Sequence, residues 1–315
     1  MTKFLFQMDD PKNFNIEEDS TYLIIKEAIS RGVKCFYNDP KWVYVNLNKK
    51  KEIKSKVFEI FLKKNNHISY SSKNSKVMNL EEFDSIFIRQ DPPFNLQYIS
   101  NTYLLDQLKN PLIINNSKEI RNYPEKHIMM NFPNLTPPTL ISSELDSIIN
   151  FIIKQEAVVI KPAYGNGGLG IEKIDKNKKN LRSFIKKYIN NFSNNPVIIQ
   201  KFLKKYTKGD KRIILLNGKV QGAVLRIPKK NSIKANFHAG GSALKTSLTI
   251  KENLICQKIK KFLISKKLYF VGIDVIDGYL TEINITSPTG IQEINRLDGV
   301  KIEKNIIDFV MKSLK

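Results

Sequence analysis

Val158-Val-Ile-Lys-Pro-Ala-Tyr-Gly-Asn-Gly-Gly-Leu-Gly170 is the stretch whose reading decides the fold. A run of β-formers delivers Lys161, and four glycines follow within six residues. Glycine lets backbone N–H groups converge on phosphate oxygens without side-chain obstruction, while a lysine neutralises their charge. The pattern is not a P-loop, because no Gly-Lys-Ser/Thr follows. It is not a dinucleotide fingerprint either, since a strand rather than a helix is expected after Gly170. The competing reading is a glycine-rich hairpin carrying a surface lysine.

Working outward, the spacing predicts a strand over 157–162, a strand over 171–174, a helix over 181–191 and a strand over 197–203. Farther on, Asn217-Gly218 and Asp277-Gly278 are two of the strongest hairpin turn dipeptides. They join 213–216 to 220–227 and 270–276 to 279–286. Helices are expected near 254–266 and 302–314. Toward the N-terminus, strands are expected over 3–8, 33–37 and 85–89. Asp19 or Ser20 caps a helix ending at Gly32, and 97–108 is amphipathic. Residues 46–80 are rich in Lys, Asn and Ser and read as an irregular, partly paired excursion. A helix over 125–132 follows a boundary at Tyr123-Pro124. The fold class is therefore α/β, or mixed α+β, beginning with a βαβ arrangement.

The second hairpin carries a candidate metal site. Asp274, Glu282 and Asn284 sit in an otherwise apolar sequence, where an unpaired carboxylate is costly to bury. A two-residue turn opposes Ile273 to Glu282 and sends Asp274 to the other face. A three-residue turn opposes Asp274 to Glu282 and Gly272 to Asn284. In the second case the oxygen donors share a face and suit Mg²⁺; otherwise the pair simply faces solvent. Arg212 and Arg226 flank the Asn-Gly turn, where they could stabilise charge on a transferring phosphoryl group. Between Pro228 and the helix beginning near Thr249, residues 229–242 have no regular period and few large apolar side chains. They read as an open loop that closes over the site as a lid.

Composition bounds the remaining possibilities. The chain has 315 residues, 41% hydrophobic and 26% charged, with a net charge of +22. No apolar run reaches the roughly 18 residues of a membrane span, and the N-terminus holds no signal-peptide core. Two cysteines, Cys35 and Cys256, make neither a disulfide framework nor a thiolate cage. Only seven of the 52 basic residues are arginine. Phosphate readers favour the bidentate Arg fork, so nucleic-acid binding is not expected, and the lack of an apolar span leaves no membrane partner expected either. The three histidines have no fixed spacing to a base or metal partner, and no Ser-His-Asp or Cys-His set is present.

These motifs, together with Gln7-Met-Asp9, Asp19-Ser20, Ile88-Arg-Gln-Asp-Pro-Pro-Phe94, Glu125-Lys126, Leu135-Thr-Pro137, Gly209-Asp-Lys-Arg212, Arg226-Ile-Pro228, Ala239-Gly-Gly241 and Leu280–Thr289, resemble the bacterial glutathione synthetases of the ATP-grasp superfamily. The resemblance covers nearly the whole chain. It implies a substrate-binding N-terminal domain over 1–123, an ATP-grasp lid subdomain over 124–203, and a C-terminal ATP-grasp subdomain with the metal site over 204–315. The two subdomains would clasp ATP.

It implies ATP contacts at Lys126, Lys161, Gly165, Gly167, Gly168, Gly170, Lys201, Phe202, Leu203, Asp210 and Asn236. Mg²⁺ or Mn²⁺ would be held by Asp274, Glu282 and Asn284, and catalysis would rest on Arg212 and Arg226. Substrate contacts are implied at Asp19, Arg89, Gly240, Gly241, Ser287, Pro288, Thr289 and Gly290. The expected reaction joins γ-glutamylcysteine to glycine through an acyl phosphate, in a cytoplasmic homo-oligomer, a dimer or tetramer. The alternative is another ATP-grasp carboxylate–amine ligase with a different acceptor. Departures from the family pattern bear on that choice. Gln90 and Ser242 stand where basic residues are usual, Lys234 and Gln292 where arginine is. Lys201 occupies a position that is often polar or acidic.

Overall fold

The computed structural model describes residues 1–48, 50–165, 168–229 and 242–315. Gly167, Asn236, Gly240, Gly241 and residues 230–241 of the expected lid lie outside the described residues.

The first third builds a sheet around β1 (Lys3–Gln7). Helix α1 (Ser20–Ser30) follows, its first amides capped by the Asp19 carboxylate. Then come β2 (Lys34–Asn38), β3 (Val43–Asn46), β4 (Glu52–Leu62), β5 (Ile68–Asn79) and β6 (Ser85–Ile88). Helix α2 (Leu96–Leu105), β7 (Leu112–Ile114) and α3 (Ser117–Asn122) complete this part. The strand order is β3-β4-β2-β1-β6-β7, with β5 paired to β4 and parallel pairing at β2-β1-β6-β7.

Residues 46–80 are therefore not irregular: β4 and β5 form a long antiparallel hairpin. In β4, Ile53, Ser55 and Val57 are buried alternately. β5 is an edge strand whose Lys, Ser and Asn face water, which hides its periodicity in the sequence.

The expected helix over 125–132 is also absent. Only a 3₁₀ turn, Ile128–Asn131, forms there. Pro124 and Pro133 bracket a stretch too short to propagate a helix.

The middle part comprises β8 (Thr139–Ser142), α4 (Leu145–Gln155), β9 (Ala157–Pro162), β10 (Glu172–Asp175), α5 (Leu181–Asn191) and β11 (Val197–Lys201). Its antiparallel sheet has the order β10-β9-β11-β8. Alternation sorts its residues. Val158, Ile160, Val197 and Ile199 pack with Ile148 and Ile152 of α4 and Ile185 and Ile189 of α5 in a core of their own. Val159, Lys161 and Gln200 take the opposite face.

The last part comprises β12 (Asp210–Leu216), β13 (Lys219–Ile227), β14 (Ser242–Lys245), α6 (Ile250–Ser265), β15 (Phe270–Ile276), β16 (Tyr279–Asn284), α7 (Ile291–Asp298) and α8 (Ile302–Ser313). Its sheet order is β14-β13-β12-β15-β16. One face, with Ile213, Leu215 and Ile273, packs on Ile255, Ile259 and Leu263 of α6. Ile214, Leu216 and Phe270 share a cluster with Phe4, Phe6 and Ile24, so the first and last sheets are joined by a continuous core.

A buried amide holds that junction. Asn115 Nδ2 donates to the carbonyls of Phe270 and Ile285, both at 2.7 Å, and Asn115 Oδ1 accepts from the Phe270 amide at 2.8 Å. Asn115→Leu keeps the volume but leaves three buried backbone groups without partners. It should cost about 3 kcal/mol or more, read as a lowered urea midpoint for the transition that includes these two sheets.

Candidate functional site

The middle and last sheets, with Asp91 and Pro92 from the loop after β6, border a cavity of about 270 Å³. The hairpin carrying Asp274, Glu282 and Asn284 combines features of both turn geometries. The turn itself has two residues, with Asp277 at φ 51° and Gly278 at φ 69° and Ile276 paired to Tyr279. A β-bulge then takes up Thr281, so that Asp274 opposes Glu282 and Gly272 opposes Asn284. All three donors consequently share one face and line the cavity. The Thr281 hydroxyl donates to the Asp274 carbonyl at 3.1 Å.

Asp274 is the most heavily engaged of them. Arg212 grips it bidentately, Nε to Oδ1 at 2.5 Å and Nη2 to Oδ2 at 3.0 Å. Arg226 Nη2 lies 3.0 Å from the same Oδ1 and donates to Asp210 Oδ2 at 2.5 Å. The β12 register puts Arg212 opposite Asp274 and Asp210 opposite Arg226, so backbone pairing aligns all four charges. Burial works against the Asp274 carboxylate, but the two guanidiniums outweigh it and hold the group well below the usual carboxylate range. At Asp210 burial dominates and pushes the carboxyl up to about 6. The Asn284 amide lies 3.4 Å from Asp274 Oδ2 through Nδ2; rotating it by 180° presents Oδ1 instead.

Two lysines reach the cavity from different parts. Lys126 Nζ lies 3.6 Å from Glu282 Oε1 and donates to the Gly165 carbonyl at the start of the glycine loop. Lys161, at the end of β9, donates to Gln200 Oε1 at 3.2 Å. Desolvation lowers its pKa, with Glu282 opposing the shift. Gly170 closes the loop at φ +72°, where an added Cβ would also strike the Phe192 ring.

Lys201, Phe202 and Leu203 also line the cavity. The amides of Lys201 and Phe202 donate to the carbonyls of Pro138 and Ala157. The Leu203 amide has no backbone acceptor among the described residues.

Ser287, Pro288 and Thr289 complete the wall, and the Thr289 carbonyl accepts from Arg212 Nη1. Asp19, Arg89, Gly170 and Gly290 stand back from it. Asp19 caps α1. Buried Arg89 donates to Thr21 Oγ1 and the Pro288 carbonyl, bracing the turn from behind. Gly290, at φ 116°, starts α7 beside Arg212.

Three departures from the family pattern are built into structure. Gln90 Oε1 accepts from Gln7 Nε2, Gln292 Nε2 donates to the carbonyls of Ile16 and Asp19, and Ser242 opens β14.

Two polar wall residues to which the sequence assigns no role hold neighbouring groups in place. Glu125 Oε1 accepts from the amides of Ile285 and Thr286 and from the Thr286 hydroxyl, tying the end of β16 to the residue before Lys126. Burial raises its pKa, and Glu282 adds to the rise. Gln200 is the other. Its signal lay in the strand alternation, which sets it on the same face as Lys161.

Sheets clasping a cavity lined by a glycine loop, lysines and acidic hairpin residues define an ATP-grasp ligase. Family models for the prokaryotic glutathione synthetase N-terminal and ATP-grasp domains match residues 2–121 and 125–299, and the chain belongs to this family. The glutathione synthetase of Bradyrhizobium diazoefficiens is 38% identical over 305 residues, 96% of each chain. Among solved structures, the fold is shared with D-alanyl-alanine synthetase A from Vibrio cholerae, at TM-score 0.65 and 16% identity, covering 100% of this chain and 98% of that one. It is shared too with the ATP-grasp ligase PsnB complexed with minimal precursor, Mg and ADP, at TM-score 0.61 and 11% identity, covering 99% and 98%.

The contrast between the hairpin carboxylates is testable. Asp274→Asn strips two buried guanidiniums of their shared anion and should cost about 3–5 kcal/mol of stability as well as activity. Glu282→Gln, on a partly exposed side chain 3.6 Å from Lys126, should abolish turnover yet melt within a degree or two of the parent by calorimetry.

Proposed function

We propose that this chain joins γ-glutamylcysteine to glycine, consuming ATP and giving glutathione, ADP and phosphate. The observation that carries the reading is the meeting of Lys126, Lys161, Arg212, Arg226 and the Asp274/Glu282/Asn284 face on one cavity, in a full-length relative of glutathione synthetases.

A carboxylate is a poor electrophile, because hydroxide leaves poorly. ATP first phosphorylates the cysteinyl carboxyl group of the dipeptide. The glycine amine then attacks the acyl phosphate, and phosphate departs from the tetrahedral intermediate. No covalent enzyme nucleophile is needed, so catalysis is positioning and electrostatic stabilisation.

Lys126, Lys161 and the loop with Gly165, Gly168 and Gly170 hold phosphates. Lys201, Phe202 and Leu203 face adenine, where the unclaimed Leu203 amide is suited to donate to a ring nitrogen. Arg212 and Arg226 steady the charge on the transferring group, with Asp210 beside the nucleotide and holding Arg226 in place.

Asp274, Glu282 and Asn284 are hard oxygen donors on one face, and the low pKa of Asp274 keeps it ionised. This set fits Mg²⁺ or Mn²⁺, which when bound would neutralise phosphate oxygens. Ser287, Pro288 and Thr289, braced by Arg89, face the dipeptide and glycine side, with Gly290 and Asp19 set behind them.

The reading divides the chain at 123/124 and 203/204, a division that the three separate sheets support. It also takes the enzyme to be a cytoplasmic dimer or tetramer; none of the described helices is long and apolar enough to cross a membrane.

ADP release should require both γ-glutamylcysteine and glycine when a panel of dipeptides and amines is assayed. Equal turnover with other pairs would replace this reading with a different carboxylate–amine ligase. Lys161→Ala should reduce turnover by at least about a hundredfold with little change in melting temperature. Normal turnover in that variant would make the lysine a bystander.

A further inference from the structure

Lys161 has one hydrogen-bond acceptor among the described residues, and that acceptor is neutral: Gln200 Oε1, at 3.2 Å. Glu282, Asp210 and Asp274 act on the ammonium through space, against Lys126. Gln200 Nε2 donates in turn to Thr139 Oγ1 at 3.1 Å, and the Thr139 hydroxyl donates to the Pro137 carbonyl at 2.7 Å.

The sheet register brings these groups together. Thr139 on β8 stands directly opposite Gln200 on β11. Lys161 on β9 stands opposite Ile198, two residues back along the same strand. Lys161 and Gln200 are thus diagonal cross-strand neighbours on one face.

The chain of bonds has one direction. An ammonium only donates. The threonine proton is committed to Pro137, so its oxygen is left to accept. The Gln200 amide therefore satisfies both neighbours in a single orientation, oxygen toward Lys161 and NH₂ toward Thr139.

We propose that Thr139 acts through Gln200 as a positioning residue, aiming the Lys161 ammonium at the nucleotide phosphates. The proposal rests on the ATP-ligase reading above. A neutral acceptor suits the task. It fixes the lysine in place without pairing its charge, whereas a carboxylate there would compete with phosphate for the same ammonium. Without the threonine acceptor the amide is no longer anchored from behind and is free to leave its rotamer, and the ammonium loses its fixed position.

The test is calorimetric titration of the full chain with ATP and Mg²⁺, and separately with adenosine, with no dipeptide or glycine present. Thr139→Val keeps the side-chain shape and removes the hydroxyl. It should bind ATP roughly tenfold more weakly, the size of one lost charge-assisted hydrogen bond. Adenosine affinity and melting temperature should stay at the parent values, because only a phosphate contact has been disturbed. Thr139→Ser should restore ATP affinity to within about twofold of the parent. Gln200→Met, which keeps bulk without an acceptor, should reproduce the valine variant's pattern and serves if that variant folds poorly. Unchanged ATP affinity in both variants, or an equal loss for ATP and adenosine, overturns the proposal. Failure of the parent chain itself to bind ATP would instead sink the ligase reading on which it rests.

Discussion

One carboxylate, Asp274, is shared by two guanidiniums, and the site is built around that contact. Arg212 and Arg226 are both almost wholly buried, a state that an arginine tolerates only when an anion and further acceptors satisfy its donors. Asp274 supplies the anion to both; Asp210 and the Thr289 carbonyl take other donors. The arrangement is expensive to desolvate and adds little net stability compared with an apolar core of equal volume. Its value lies in geometry. The ladder pairs Arg212 with Asp274 and Asp210 with Arg226, so charged side chains inherit the precision of a β-sheet.

The rest of the molecule brings other parts to that fixed point. The middle sheet has its own core and touches the site through one polar face, so it can present Lys161 and the glycine loop as a unit. The first and last sheets share their cores and are cross-bolted by Asn115. Glu125 joins the two arrangements. Sitting where the chain leaves the first sheet, it binds the amides after Asn284 and so sets Lys126 against the strand that carries Glu282. A carboxylate accepting two amides and a hydroxyl on one oxygen is a strong local constraint.

How much of this was legible depended on whether the signal was local. Turn chemistry and glycine spacing are local, so the Asn-Gly and Asp-Gly hairpins and the strand–loop–strand around Lys161 could be read directly. The hairpin register was not fully determined by its turn. The bulge at Thr281 reverses the face of every residue beyond it, and nothing in Asp-Gly-Tyr-Leu-Thr announces it. The edge hairpin over 52–79 was obscured because an edge strand facing water carries the composition of a loop. Strand β8 and helix α4 went unread because strand alternation over only four residues is a weak signal, and α4 opens with a Glu144 cap rather than the usual Ser, Thr or Asp. Helix α7 follows a Pro-Thr-Gly sequence that suggests only a turn. Of the site, the residues bearing charge were recognised. The ones that aim them, Gln200 and Glu125, become visible only when register and chain crossing are known.

The chain's charge and the site's charge also turn out to be separate matters. The protein carries a net +22, yet the described cavity wall is balanced. Lys126, Lys161, Lys201, Arg212 and Arg226 face Asp91, Glu125, Asp210, Asp274 and Glu282. Formal charge on these ten side chains sums to zero, although the occupant proposed for the cavity is a polyphosphate. Excess lysine elsewhere lies largely at the solvent surface, where salt screens it beyond about 8–10 Å, so it attracts a nucleotide only at long range. Within the wall, the arginines are already paired and Lys126 leans on Glu282. A polyanion entering such a site meets carboxylates as well as cations. Two physical devices relieve the conflict. Protonation is one, open to Asp210 and Glu125, whose burial raises their pKa. The other is a divalent cation on the Asp274–Glu282–Asn284 face, which would turn repelling carboxylates into ligands. If the proposed nucleotide and divalent cation share this balanced wall, each would supply the charge that the other needs.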